Sequence, residues 1–324
     1  MSNSRDAVSN RSIGLALGSG SARGWAHIGV IRELSRLEIL PDLICGTSVG
    51  ALVGAVYVSG HLDMLESWVQ GLTNREIVRY LDLSLLWGGG VVEGKRLMDF
   101  FRNKIGDINI EDLPRPFASV ATDFATGQEI WIREGSLWEA VRVSIALPGI
   151  FTPARRKKQL LVDGGLVNPV PVSLCRAMGA EFVVAVNLNG DIVGRHLTKC
   201  RNRKHPGRRP AAEANLLDKL PASLKKTASV ISRLRELPPG TPGLFTVLAG
   251  SINIMQDRIT RARIAADPPD VLLSPNLAQI GLLEFDRATE AIAEGRACVR
   301  RSATQLRECY RFVKTMPPNE SVEE

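Results

Sequence analysis

Histidine and cysteine are scarce in this chain of 324 residues, with four of the former and five of the latter. Cys45, Cys175, Cys200, Cys298 and Cys309 are scattered, without a C-x-x-C pair or a histidine at ligand spacing beside them. That excludes a disulfide-dense scaffold and makes reduced thiols the simplest state. A long apolar run is also missing. The nearest approach, Leu43–Gly60, is charge-free with Gly46, Gly50 and Gly54 four apart, like a G-x-x-x-G membrane helix. It falls short of the ~20 apolar residues that span a bilayer and carries Thr47, Ser48, Tyr57 and Ser59, so strand, turn and helix is the preferred reading. Met1–Ser12 is polar and lacks the apolar core of a secretory signal, so a cytoplasmic protein is expected. What is present, 44% apolar and 23% charged residues, is the composition of a globular protein with ample chain for a core.

The net charge of +7 is concentrated in one place. Arg195–Arg209 holds seven Lys/Arg and no acid, and the remaining 34 basic residues match the 34 acidic ones. A charge-balanced body with one basic strip is unlike a nucleic-acid-binding domain, whose positive charge covers a face, so no nucleic-acid partner is expected. Two readings of the strip stay open: a solvated loop, or a segment that makes peripheral contact with anionic membrane.

Ile13–Leu17 reads as a buried strand followed by a Gly-rich turn and a helix from Trp25 to Glu38, with apolar residues at Ile28, Ile31, Leu34 and Leu37. Pro41–Cys45, Gly46–Gly50 and the residues from Ala51 onward repeat the unit. Two such units imply an α/β fold with a mostly parallel central sheet and helices on both faces. Paired strands are expected at Phe117–Asp123 and Gln128–Ile132, and a helix at Leu137–Ile145. A loop should carry the basic Arg155–Lys158 run, followed by a strand at Leu160–Val162, a helix at Val172–Gly179 and a strand at Phe182–Asn187. Further on come a helix at Leu224–Leu237, another at Gly250–Ala266, a strand at Val271–Ser274 and one long helix at Phe285–Phe312. The expected division is a polar tail over 1–12, a catalytic domain over 13–190, a basic insertion over 191–243 and a mainly helical region over 244–324. Leu81–Val92 is apolar and glycine-hinged, either a stretch that lines or covers an apolar entrance or a buried helix end.

Gly46-Thr47-Ser48-Val49-Gly50 is a G-x-S-x-G between strand and helix, the setting of a nucleophile elbow. Side chains at Gly46 or Gly50 would collide with neighbouring strand and helix, and the following helix directs its positive end at Ser48. The bland alternative is a serine that caps the helix. A Ser-acid-His triad needs a late histidine, and only His196 and His205 qualify, both in the basic segment. His27 and His61 read as ordinary helix or cap residues. That leaves Asp163, after Leu160-Leu161-Val162 and before Gly164-Gly165, as a carboxylate able to take the serine proton directly if it lies within hydrogen-bond reach. Its bland reading is a tight Asp-Gly turn.

The loop Gly18-Ser19-Gly20-Ser21-Ala22-Arg23-Gly24 misses the dinucleotide fingerprint, because Arg23 stands where the third glycine belongs, and lacks the Lys-Ser/Thr of a P-loop. An oxyanion hole built from the amides of Gly20 and Ser21 suits it best.

These three motifs, in this order, resemble the patatin-like phospholipase family, in particular bacterial members related to neuropathy target esterase. The likeness extends to Trp25–Val30, Ala121-Thr122-Asp123 with Thr126-Gly127, Ser144–Pro153, Asn168-Pro169 and Asp267–Asp270. It implies a three-layer α/β fold and hydrolysis of lipid or lysophospholipid esters. It also implies Ser48 as nucleophile, Asp163 as proton acceptor, and Gly18, Gly20, Ser21, Ala22, Arg23 and Gly24 around the oxyanion, with no cofactor. Many relatives have glycine where this chain has Ser19 and Ser21. Acyl transfer and thioester hydrolysis use the same parts; a nucleotide-dependent oxidoreductase and a non-enzymatic adaptor are the readings from other classes.

Overall fold

The computed structural model describes residues 11–73, 76–77, 93–190 and 244–315. The Leu81–Val92 segment, the basic strip with His196 and His205, the Leu224–Leu237 helix and the acidic C-terminus lie outside the described residues. The chain divides into two compact units, Met1–Val193 with Ile252–Glu324, and Gly194–Ser251. Of the second, only 244–251 is described, as the start of a helix.

The first unit is built on one sheet of eight strands: β1 (Ile13–Leu17), β2 (Leu43–Thr47), β3 (Phe117–Asp123), β4 (Glu129–Ile132), β5 (Ala154–Arg156), β6 (Gln159–Asp163), β7 (Phe182–Val186) and β8 (Val271–Leu273). Their order is β5-β6-β3-β2-β1-β7-β8, with β4 paired to β3. Parallel pairing joins β1 to β2 and β7, β2 to β3, and β7 to β8. Pairing is antiparallel for β3 with β4 and β6, and for β5 with β6.

Alternation along the strands divides the interior in two. Ile13, Leu15 and Leu17 of β1 face a large core with Ile44 and Phe117. Ala16, Cys45, Ala118 and Ala185 face a smaller one. The large core is closed by α1 (Ala26–Arg36), α2 (Val49–Val58), α3 (Leu62–Gln70), α4 (Lys95–Ile105) and α5 (Leu137–Ser144). The smaller side is covered by α6 (Val172–Ala177), brought close because β1 offers Gly14 there: a Cβ at Gly14 would stand 3.1 Å from that of Cys175 in the helix and 2.7 Å from that of Ala180 just beyond it. After α7 (Leu244–Ala266), α8 (Ala288–Arg301) docks on α1 at backbone contact. A Cβ on Gly29 would meet the Ile292 carbonyl at 2.0 Å, and one on Gly295 the Ala26 carbonyl at 2.1 Å. The chain ends in α9 (Ala303–Thr315).

Four details depart from expectation. The basic Arg155–Lys158 run is not a loop: it forms the β5–β6 hairpin, turning at Lys157 with φ 54°. The helix expected from Trp25 begins at Ala26, after a 3-10 turn over Ser21–Trp25. The helix expected over Phe285–Phe312 breaks at Ser302, whose amide turns back to the Cys298 and Val299 carbonyls. Asp163, expected where parallel strands deliver residues to a common crevice, arrives on an antiparallel strand. Leu43–Gly60 is strand, turn and helix, and among the described residues no helix is long and apolar enough to cross a membrane.

Candidate active site

Sheet register brings the site together. Thr47 at the end of β2 lies opposite Val120, and Asp163 at the end of β6 lies opposite Ala121. The two strands run in opposite directions along consecutive stretches of β3, so their C-terminal ends meet. Ser48 leaves β2 at φ 58°, ψ −127°, a conformation that costs a non-glycine residue about 1–3 kcal/mol and throws its side chain out of the turn. The elbow needs both glycines. A Cβ at Gly46 would lie 2.4 Å from the Ala51 Cα, and one at Gly50 2.1 Å from the Leu17 carbonyl oxygen.

The hydroxyl of Ser48 donates to Oδ2 of Asp163 at 2.5 Å. Although Ser48 stands at the N-cap of α2, its side chain makes no capping bond, so the capping alternative fails. Oδ1 of Asp163 accepts the Gly165 amide at 2.7 Å, and the Asp163 carbonyl accepts the Thr122 hydroxyl at 2.8 Å. The Asp-Gly turn is therefore real and uses one carboxylate oxygen, leaving the other for the serine. Asp163 is fully buried, and burial pushes its carboxyl up to about 7, against the partial opposition of the hydrogen bonds from Ser48 and Gly165.

No imidazole is hydrogen-bonded to this pair among the described residues. His27 is buried in α1 and donates from Nε2 to the Gly18 carbonyl at 2.7 Å; burial brings its pKa down to about 4, so the ring is neutral. His61 precedes α3 and donates from Nδ1 to the Ser59 carbonyl.

The Gly-rich loop borders the elbow, with Gly24 against Val49 so closely that a Cβ would fall 2.1 Å from Val49 Cγ1. Its amides divide sharply. Gly18 donates to Val186, Ser19 to Pro169, Ala22 to Leu282 and Arg23 to Gly20, all to carbonyls. The amides of Gly20 and Ser21 have no acceptor among the described residues. Arg23 is buried and turned away: Nε donates to the Gly20 carbonyl at 3.2 Å and Nη2 to Asn253 Oδ1 at 2.8 Å. Burial lowers its pKa to about 10, which leaves it a cation at neutral pH. Beside Ser48 opens a cavity of about 900 Å³, mouth included, walled by apolar side chains such as Trp25, Leu52, Trp68, Leu147, Phe151 and Phe285. Ser19, Ser21, Ser48 and Gln256 are its polar lining residues.

The family model for patatin-like phospholipases matches residues 15–176. An uncharacterized NTE family protein of Mycobacterium tuberculosis, Rv1063c, is 33% identical over 92% of both chains. The chain belongs to the patatin-like phospholipase family. Patatin-like phospholipase domain-containing protein 7 of Mus musculus is 33% identical over 56% of this chain and 14% of its own. A crystal structure of VipD from Legionella pneumophila superposes over 92% of this chain and 67% of that one at TM-score 0.45 and 11% identity. The family implies lipid acyl hydrolase activity.

The region matched to patatin-like phospholipases contains the three motifs and ends before several residues that hold them, none of which motif reasoning assigned a role. Within it, Ser144 at the end of α5 accepts the Ser48 amide at 2.9 Å and donates to the Val120 carbonyl at 2.7 Å. Beyond it, Asn189, Asn253 and Gln256 tie down the Gly-rich loop. One signal for the last two was available: Asn253, Gln256, Asp257 and Thr260 repeat polar residues at helical spacing on one face of α7.

Proposed function

We propose that this protein is a serine lipid acyl hydrolase in which Ser48 is the nucleophile and Asp163 the proton acceptor. The observation that carries the reading is the 2.5 Å hydrogen bond from Ser48 Oγ to a buried Asp163 carboxylate. Ser48 Oγ attacks the ester carbonyl carbon and its proton passes to Oδ2. The carbonyl electron pair moves to oxygen, which the amides of Gly20 and Ser21 receive. Collapse breaks the ester C–O bond, and Asp163 gives the proton to the departing alcohol. Water, deprotonated by Asp163, then attacks the acyl carbon; collapse breaks the C–Oγ bond, Asp163 returns the proton to Ser48 Oγ, and a fatty acid is released.

A carboxylate at its usual pKa is a weak base for a hydroxyl; burial that raises Asp163 to about 7 makes it a stronger one that is still ionised in useful amounts at neutral pH. The positive end of α2 and the buried Arg23 both favour negative charge at the oxyanion. The apolar cavity accepts the acyl chain, and its lining suits a lipid or lysophospholipid ester. A dinucleotide fits less well, because the Gly-rich loop enters a 3-10 turn where a pyrophosphate requires a helix N-terminus.

Labelling with a fluorophosphonate probe, followed by peptide mass spectrometry, tests the assignment without a guess at the substrate. The adduct is expected on Ser48. Ser48→Ala and Asp163→Asn should each lower turnover of a 4-nitrophenyl ester by roughly a thousandfold or more while the fold persists. An adduct elsewhere, or hydrolysis retained by purified Ser48→Ala, would remove the mechanism.

A further inference from the structure

Helix α7 is inverted with respect to the usual amphipathic pattern. Its buried described residues are all polar, namely Asn253, Gln256, Asp257 and Thr260, whereas Ile254 and Met255 are about half exposed. Burying polar groups costs free energy unless each finds a partner, so such a face marks a specific task. The partners of Asn253 and Gln256 lead to the peptides whose amides have no acceptor among the described residues.

In a trans peptide the N–H and the C=O point in opposite directions. The Gly20 amide therefore faces away from the Ser19 carbonyl, and the Ser21 amide away from the Gly20 carbonyl. Both carbonyls are held from behind by side-chain donors, Ser19 by Asn189 Nδ2 at 3.4 Å and Gly20 by Arg23 Nε at 3.2 Å. Each donor is held in turn by α7. Asn189 Nδ2 also donates to Gln256 Oε1 at 3.0 Å, and Gln256 Nε2 donates to Ser19 Oγ at 3.2 Å, closing a ring through three side chains. Arg23 Nη2 donates to Asn253 Oδ1 at 2.8 Å. The two α7 residues stand three apart, one behind each peptide.

We propose that Asn189, Asn253 and Gln256 are positioning residues that set the planes of the Ser19–Gly20 and Gly20–Ser21 peptides, so that both free amides converge on the substrate oxyanion. Donation to a peptide carbonyl also polarises the peptide and strengthens its N–H as a donor. The ring gives Ser19, a serine where many family members have glycine, a function in this chain: it accepts the Gln256 amide and lets α7 hold the loop. This inference rests on the assignment of Gly20 and Ser21 to the oxyanion hole.

The test uses the full chain and three probes: a 4-nitrophenyl ester, an alkyl trifluoromethyl ketone, and the alcohol of the same chain length. The ketone is attacked by Ser48 Oγ, its carbonyl pair moves to oxygen and the serine proton passes to Asp163, so it places an oxyanion in the hole. The alcohol fills the cavity without one. Gln256→Met and Asn253→Leu are expected to lower kcat about tenfold or more with KM nearly unchanged, to weaken the ketone by a similar factor, and to leave the alcohol alone. Asn253→Asp, which keeps an acceptor for Arg23, should recover the rate that Asn253→Leu loses. Should Gln256→Met fail to fold, Ser19→Ala opens the same ring with a smaller change; if both fold, their double variant should lose no more than the worse single one. Unchanged kcat in folded variants overturns the inference, as does equal weakening of ketone and alcohol. With fluorophosphonate still landing on Ser48, those results remove the positioning role alone; loss of the Ser48 adduct from the wild type removes the hydrolase reading beneath it.

Discussion

The hydroxyl of Ser144 stands between the Ser48 amide and the Val120 carbonyl, accepting from one and donating to the other. It thus ties the elbow to β3, the strand on whose consecutive residues Thr47 and Asp163 are registered. A strained φ at Ser48 persists only where its surroundings over-determine it. The two glycines permit the turn, and Ser144 holds it in place.

Ser144→Ala leaves the Ser48 amide and the Val120 carbonyl without this partner in a buried site. A loss of about 1–3 kcal/mol of stability is expected, read from urea unfolding, together with a fall in kcat larger than any change in KM as Ser48 drifts from Asp163. Wild-type kcat in a destabilised Ser144→Ala would show that the elbow keeps its geometry without the hydroxyl.

As the proposed proton acceptor, Asp163 is expected to set the pH dependence. Only its ionised form accepts a proton, so kcat/KM should climb as pH rises through about 7 and level above it, with the rising limb gone in no variant that keeps the carboxylate in place. Stability moves the other way. Because the folded state holds this proton up to about 7 and the unfolded state releases it near 3.8, stability contributed at low pH is lost as pH rises through that interval. Asp163→Asn abolishes the ionisation, and its stability relative to wild type should improve between pH 4 and pH 8. Parallel stability profiles for the two proteins would contradict a raised carboxyl.

Gly50 tests the close approach at the elbow. A Cβ there meets the Leu17 carbonyl at 2.1 Å, backbone against backbone with no flexible side chain to yield. Gly50→Ala should cost more than about 3 kcal/mol or prevent folding, measured by thermal melting and soluble yield. Gly127, whose Cβ would meet nothing within 4 Å, gives the contrast: Gly127→Asn should change the melting temperature little, since asparagine tolerates its φ of 71°.

Much of this architecture was legible because it is written locally. The strand, glycine turn and helix at Ile13–Arg36 and Leu43–Val58 follow from apolar spacing and turn residues within a few positions of each other. Ser48 was recognisable from its two flanking glycines. What sequence could not supply was register: nothing near Asp163 states that β6 runs antiparallel to β3 and ends beside Thr47. Ser144, Asn189, Asn253 and Gln256 were missed for a related reason, since each acts on a motif 170 to 237 residues away or, for Ser144, 96. The Arg155–Lys158 run was misjudged because charge suggests a loop, while an exposed hairpin edge tolerates charge equally well.

His27 carries a second, opposite pH signature. Its ring is buried beneath the Gly-rich loop, donating from Nε2 to the Gly18 carbonyl, while Nδ1 has no hydrogen-bond partner among the described residues. Protonation would put a charge on that unpartnered nitrogen in a site with no water access, which is why its pKa falls to about 4 from an ordinary 6.5. The unfolded chain takes up the proton first as pH falls, so the stability held above about 6.5 is lost progressively down to about 4. His27→Gln offers an amide donor to Gly18 and does not titrate. Urea unfolding at pH 7, 5.5 and 4.5 should therefore show a smaller loss on acidification for His27→Gln than for wild type, even if the variant starts out less stable at pH 7. The Asp163 contribution is common to both proteins and cancels in the comparison. An equal loss in the two would mean that His27 is protonated in the fold, and with it that the Gly18 carbonyl is held by a cation.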